Sequence, residues 1–218
     1  MAAYETSLYL SILFECSVAQ DMSTAILSHL VDMHTNSSCT SPSTTTTTIH
    51  LLHLLLSGYP SQKAYLDRLR SLTSQSTAIQ EGAPTAWIRA LARSLRRYEF
   101  ITFDVLSRID GFESSHRSST AEQSIISMGP FDDLARAAIS TLLTRLRSKA
   151  RETAWNVMRG AYRMVSLSDE EEGEWWRRYL VLDGASRVDA KTWMEGKCKA
   201  GDVIFEKEGC WKLCRVRR

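Results

Sequence analysis

Apolar residues recur at steps of three or four through most of the chain, the spacing that lines one face of an α-helix. Leu8, Ile12, Cys16 and Ala19 form a first stripe, and Met22, Ile26, Leu30 and Met33 a second. An apolar helix is predicted around Leu51 to Leu56, stopped by Gly58-Tyr59-Pro60, with a short helix from Ala64 to Leu72 after it. Pro84 suits a first helical turn, and Trp87, Leu91, Leu95 and Tyr98 then share one face. Phe100, Phe103 and Leu106 continue the pattern to Gly111. Beyond Gly129-Pro130 one stripe is Phe131, Ala135, Ala138, Leu142 and Leu146, and the next is Trp155, Met158, Tyr162 and Val165. About seven helices are expected before residue 166.

The last fifty residues change character. Ser166 to Gly173 carries a cap at Ser168 and acids that complement a helix N-terminus. Glu174 to Leu182 reads as a short helix, and Asp189 to Gly196 as another that its glycine ends. Val203-Ile204-Phe205 and Trp211-Lys212-Leu213 are β-prone and joined by Glu206-Lys207-Glu208-Gly209, a hairpin signal. The expected fold class is therefore mainly α: a helical-repeat, TPR-like stack over residues 1–165, then a C-terminal winged-helix subdomain over 166–218. Twelve of the fourteen residues from Thr35 to Thr48 are Ser, Thr or Asn, which predicts a flexible insertion in the stack; Ser114 to Gln123 has the same character.

Composition agrees with a globular chain: 218 residues, 44% hydrophobic and 24% charged, with too few Gly (10) and Pro (4) for a loop-rich β protein. The longest apolar run is far short of the ~20 residues a membrane span needs, and Glu5, Glu15 and Asp21 lie where a presequence avoids acid. No membrane association is expected, and the cytosol or nucleus is the expected compartment.

Net charge is +2 but unevenly spread. Residues 1–56 hold four acids and no Lys or Arg, residues 57–128 nine bases against seven acids, and residues 129–218 eighteen bases against fourteen acids. Arg89, Arg93, Arg96 and Arg97 fall on the helix face opposite Trp87 and Leu91, a stripe suited to a phosphate or an acidic partner as well as to ordinary solvation. Lys191, Lys197 and Lys199 on the second helix of the winged subdomain, Lys207 in the wing, and Arg215, Arg217 and Arg218 in the tail lie where a winged helix meets phosphates. Glu195, Glu206 and Glu208 dilute that patch, so only weak binding of RNA or DNA with low sequence specificity is expected.

Catalytic and metal motifs are missing from the pattern. There is no Gly-rich phosphate loop, G-x-S-x-G, H-E-x-x-H or C-x-x-C. Cys198, Cys210 and Cys214 lack a fourth ligand for zinc, and with Cys16 and Cys39 they read as reduced thiols. His50 and His53 are one helical turn apart but stand in an aliphatic segment without an acid, which favours packing over metal. The run Asp169 to Glu174 lacks the alternating ligand spacing of a calcium loop. No enzyme, cofactor or small-molecule substrate is expected.

The arrangement of a helical body running into a winged helix resembles the PCI domain. The stretch from Trp87 to Phe103 is similar to the Ala/Leu-rich helix followed by a Tyr or Phe motif of the Sac-three/GANP family, and Arg151-Glu152-Thr153-Ala154, Met158, Ala161-Tyr162, Trp176 to Leu182 and Gly201 to Phe205 extend the likeness over residues 50–216. The long extensions of the larger members are not expected here, and the insertion at 35–48 is a further departure. The resemblance implies a non-enzymatic scaffold in nuclear mRNA export or transcription-coupled mRNA processing that pairs with another PCI-domain subunit. A subunit of the proteasome lid, the COP-nine signalosome or initiation factor three is the alternative within that fold, and a free-standing winged-helix nucleic-acid binder the alternative outside it. The same resemblance implies the nucleus as location, with the cytoplasm second.

Overall fold

The structure, a computed structural model, describes residues 2–14, 44–75, 83–108, 130–167, 170–182, 190–207 and 210–214. These fall into two compact units: Met1–Arg93 with Leu106–Leu146, and Ser94–Val105 with Arg147–Arg218. The chain is mainly helical with one three-stranded sheet. Ser94–Val105 and the second half of the long helix belong with the C-terminal residues, because Asp104 and Phe100 pair with groups there, as described below.

The N-terminal unit contains α1 (Ala2–Leu13), α2 (Thr44–Gly58), α3 (Lys63–Gln75), most of α4 (Ala83–Arg96) and the first half of α6 (Pro130–Ala161). Each buries the apolar stripe its sequence carries: Leu8 and Ile12 on α1, Leu51, Leu52 and Leu55 on α2, Tyr65 and Leu72 on α3, Trp87, Ile88 and Leu91 on α4, and Ala138, Ile139 and Leu142 on α6. Long polar side chains close the backbone accounts between helices. Arg145 donates to the carbonyl of Ile12 at the open end of α1 (2.9 Å), and Gln62 to that of Ala92 (2.8 Å). The indole of Trp87 donates to Leu106 O at 2.9 Å.

Thr44 to Thr48, expected to belong to a flexible insertion, instead form the first turns of α2. Thr46 and Thr48 are buried, and the Thr46 hydroxyl donates to Glu5 Oε1 at 2.8 Å with the Tyr9 hydroxyl 3.5 Å away. Composition misled here because a threonine presents a methyl as well as a hydroxyl, and a partner on α1 satisfies the polar half. The rest of that segment, 35–43, the stripe from Met22 to Met33, and the stretch 114–123 lie outside the described residues.

In the C-terminal unit, α5 (Phe100–Leu106) and the second half of α6 precede β1 (Met164–Ser166), α7 (Glu170–Tyr179), α8 (Ala190–Lys199), β2 (Val203–Lys207) and β3 (Cys210–Leu213). The sheet is antiparallel in the order β1-β3-β2. The expected hairpin is present, and β1 adds a third strand where the helical stripe ending at Val165 is expected. The stripes from Phe131 and from Trp155 are one 32-residue helix that stops at Ala161. Tyr162 thus falls outside it and is half exposed, while Val165 is buried through its strand. Inside, Trp155, Met158, Val165, Trp176, Leu180, Met194, Val203, Trp211 and Leu213 form one core.

Three helices end within this unit in the same way. After α4, α7 and α8 the amide two residues past the cap bonds back to the third-last carbonyl, as in Glu99 to Ser94, Leu182 to Arg177 and Asp202 to Lys197. The pivot is left-handed each time: Tyr98 (φ 58°), Val181 (φ 53°) and Gly201 (φ 79°). This replaces two expected boundaries. Helix α7 runs from Glu170 to Tyr179 rather than from Glu174 to Leu182, and α8 passes through Gly196 because the stop is Gly201.

Candidate nucleic-acid and partner interface

Helix α8 turns Ala190 and Met194 into the core, which leaves Lys191, Thr192, Glu195 and Lys199 exposed on its outer side. Lys197 has another task. Its ammonium lies 5.6 Å over the ring of Trp155 and 5.1 Å over that of Trp193, and reaches Asp202 (3.6 Å) and Glu152 (3.9 Å). Asp202 is the hub of this group. It accepts from Arg159 Nη1 at 3.0 Å and from the Trp155 indole at 3.4 Å, while Arg159 Nε donates to Cys214 O at 2.8 Å. Lys197 therefore ties α8 to α6 and to the start of β2, leaving Lys191 and Lys199 as the exposed cations of that helix.

On β2 only Val203 is buried; Ile204, Phe205, Glu206 and Lys207 are exposed, with Phe205 on the Val203 side against the buried Trp211 at 5.0 Å. Met164, Lys212 and Ile204 face one another across the three strands, so the outer surface of the sheet is a row of two apolar side chains around a lysine. Lys212 pairs with Glu206 at 3.7 Å, which offsets part of the acidity of the hairpin. The ladder shifts between Phe205 and Lys207, a bulge of the kind that discourages uncontrolled pairing of an edge strand. Arg215, Arg217 and Arg218 lie outside the described residues.

Of the other basic set, Arg93 and Arg96 are exposed on α4, and Arg89 is half-buried with its Nε shielded from solvent. Arg97 has left the helix, in the turn that Tyr98 makes, and pairs with Glu99 at 3.6 Å. The structure thus brings Lys191, Lys199 and Lys207 onto the surface of α8 and the adjoining hairpin, and gives Lys197 and Arg97 acidic partners.

The residues considered for chemistry take structural places. His50 is held at about 4, first by burial and then by the charges of Arg68 and His53, and His53 is lowered by burial and Arg145. Both are neutral at pH 7. Cys198, Cys210 and Cys214 are free thiols, and no group of three or more metal-ligating side chains occurs among the described residues. Among the same residues no helix is long and apolar enough to cross a membrane.

Two features escaped the sequence reading. Asp104 and Arg147 form a buried ion pair at 2.7 Å, and Arg147 also donates to the carbonyls of Asp104 and Leu182. Their separation of 43 positions leaves no periodic signal. The second is the concentration of exposed large apolar side chains. Of the nine such side chains among the described residues, Tyr98, Val105, Tyr162, Met164, Trp175, Ile204 and Phe205 belong to the C-terminal unit and Leu10 and Phe14 to the other. Single exposed apolar side chains are ordinary, whereas contiguous ones are the usual mark of an interaction surface. Comparison with protein-family models, curated proteins and solved structures returns no match.

Proposed function

We propose that the chain is a non-enzymatic scaffold subunit of the PCI type. In this reading a helical-repeat body leads into a winged helix that pairs with another PCI-domain subunit of a nuclear complex for mRNA export or transcription-coupled mRNA processing. The winged end also contacts RNA or DNA with low sequence specificity. One observation carries the reading: helix, strand, helix, helix, strand, strand in chain order, with the strands arranged β1-β3-β2. That order supports a winged-helix reading in which α8 is the helix offered to a groove and the β2-β3 hairpin the wing. The exposed Lys191, Lys199 and Lys207 suit the phosphate contacts, and the outer row of Met164 and Ile204 suits a partner subunit.

Two measurements test it. Purification of the complex from the native cells should yield a stoichiometric partner with a helical body and a winged helix, and Met164→Glu with Ile204→Glu should release it. Fluorescence anisotropy of that complex with a mixed-sequence RNA should show a salt slope that falls by about 0.7 for each phosphate contact removed when Lys191, Lys199 and Lys207 become Glu. A chain that is purified alone, or a complex whose affinity and salt slope ignore the three substitutions, refutes the corresponding half of the proposal.

A further inference from the structure

Six aromatic rings of the C-terminal unit form one connected series. Tyr98 lies 6.1 Å from Phe100, which meets Tyr179 edge-on at 5.5 Å. Tyr179 is stacked on Trp175 at 5.0 Å with the planes 14° apart, and Trp176 joins Trp175 at 4.7 Å to Tyr162 at 6.3 Å. Phe100 and Trp176 are the buried supports of the series. Tyr98, Trp175 and Tyr162 are its outlets, 57%, 40% and 49% exposed.

Two described residues other than glycine are left-handed: Val181, which is buried, and Tyr98, which is not. Tyr98 occupies the left-handed position that ends α4, where glycine is the default and where Gly201 stands after α8. A side chain there costs folding energy, and a ring more than half in solvent regains little of it by burial. Strain kept without a packing return points to a use outside the fold.

Each outlet also has an exposed arginine beside it in sequence or one turn away: Arg97 next to Tyr98, Arg163 next to Tyr162, and Arg178 three residues after Trp175. Arg97 pairs with Glu99 and Arg178 with Glu174, both in solvent-exposed geometry where such pairs contribute little. Glu174 stays neutralised if Arg178 leaves, because Arg177 grips it through two bonds of 2.7 Å. Flat rings that accept any base, each with a cation for the phosphate that follows, are the composition of a platform for single strands. A duplex keeps its base faces stacked inside and offers such rings nothing.

We propose that Tyr98, Trp175 and Tyr162 form a stacking platform for single-stranded nucleic acid, separate from the lysines of α8 and the wing. The test uses the full chain at low salt with a fluorescein-labelled oligouridine of about 12 nucleotides and a hairpin duplex of equal length. The single strand should bind more tightly than the duplex. Tyr98→Gly relieves the strain, so the variant should melt no lower than the parent and yet bind the oligouridine about five- to one-hundred-fold more weakly, the loss of one stacked base. Tyr98→Phe should retain binding. A stable Tyr98→Gly chain with unchanged affinity overturns the platform, as does a parent chain that binds no single strand. If Lys191, Lys199 and Lys207→Glu abolishes binding while Tyr98→Gly leaves it intact, the platform fails and the winged-end reading stands.

Discussion

Asp104 and Arg147 offer the sharpest test of how the C-terminal unit is held. Their side chains are 1% and 7% exposed, so neither charge has water to fall back on. Arg147 satisfies Asp104 Oδ1 (2.7 Å), the Asp104 carbonyl (3.1 Å) and the Leu182 carbonyl (3.3 Å), and Arg151 holds Val181 O at 2.9 Å beside it. Val181 is itself buried in a left-handed conformation that a β-branched residue rarely adopts. The two arginines thus fix a strained chain reversal from within. Asp104→Asn keeps the shape and one acceptor but leaves the guanidinium charge buried without its counterion. Removing one partner of a buried pair costs about 3–5 kcal/mol, and the retained amide acceptor places Asp104→Asn near the lower end.

The assay is urea denaturation followed by tryptophan fluorescence. Five of the six tryptophans, all but Trp87, belong to the C-terminal unit, so fluorescence reports mainly on its unfolding. Far-ultraviolet circular dichroism should be followed alongside, since transitions that coincide license a single free energy. Arg147→Met and the double variant complete the cycle. If the charges act on each other as the geometry says, the double variant should be about 2–3 kcal/mol less damaged than the sum of the single ones. Additivity within about 0.5 kcal/mol would mean that the two charges do not interact, and the ion pair would then explain nothing about the stability of this unit.

How much of this was legible in the sequence depends on the range of the interaction. The stripes on α1 to α6 and the β2-β3 hairpin were readable because side-chain periodicity is local. Helix ends were misplaced wherever a left-handed residue other than the expected glycine set them. Tyr98 and Val181 carry no sequence mark of that conformation, and Gly196 looked like a stop until Gly201 supplied one. Thr44 to Thr48 was read as loop because its helical state depends on Glu5, forty-one positions before Thr46. Strand β1 has three residues, too few for alternation to show, and its pairing with β3 spans almost fifty positions. Among the candidate site residues, sequence placed Lys191, Lys199 and Lys207 on the surface. It could not foresee that Lys197 would turn inward, because Trp155, Trp193 and Asp202 meet only in the folded unit.

Three further outcomes follow from the same geometry. Trp155→Ala should cost about 3–5 kcal/mol in urea denaturation, since its ring is buried, whereas Tyr162→Ala should cost under about 1 kcal/mol; equal losses would refute the placement of the two rings. Gly201→Ala should destabilise by about 1 kcal/mol because an alanine must adopt its positive φ, while Gly196→Ala, in mid-helix with nothing within 4 Å of a new methyl, should stabilise by up to about 1 kcal/mol; the reverse order would put the helix stop back at Gly196. Stability should also fall on acidification between pH 6.5 and about 4, because burial and the charge of Arg68 hold His50 at about 4 in the folded chain, so the unfolded chain binds the extra proton in that window. The contribution is full above pH 6.5, is lost as pH falls toward 4, and has a ceiling of about 3 kcal/mol, set by the distance between the ordinary 6.5 and about 4. His53, lowered in the same direction, adds to it, and Glu174, held at about 2 chiefly by its hydrogen bond from Arg177, contributes a further loss as pH falls from the ordinary carboxylate value of about 4.5 toward 2, in parent and variant alike. His50→Gln should therefore flatten the melting temperature between pH 6.5 and 4 relative to the parent, and a profile parallel to the parent's would show that His50 titrates alike in the folded and unfolded chain.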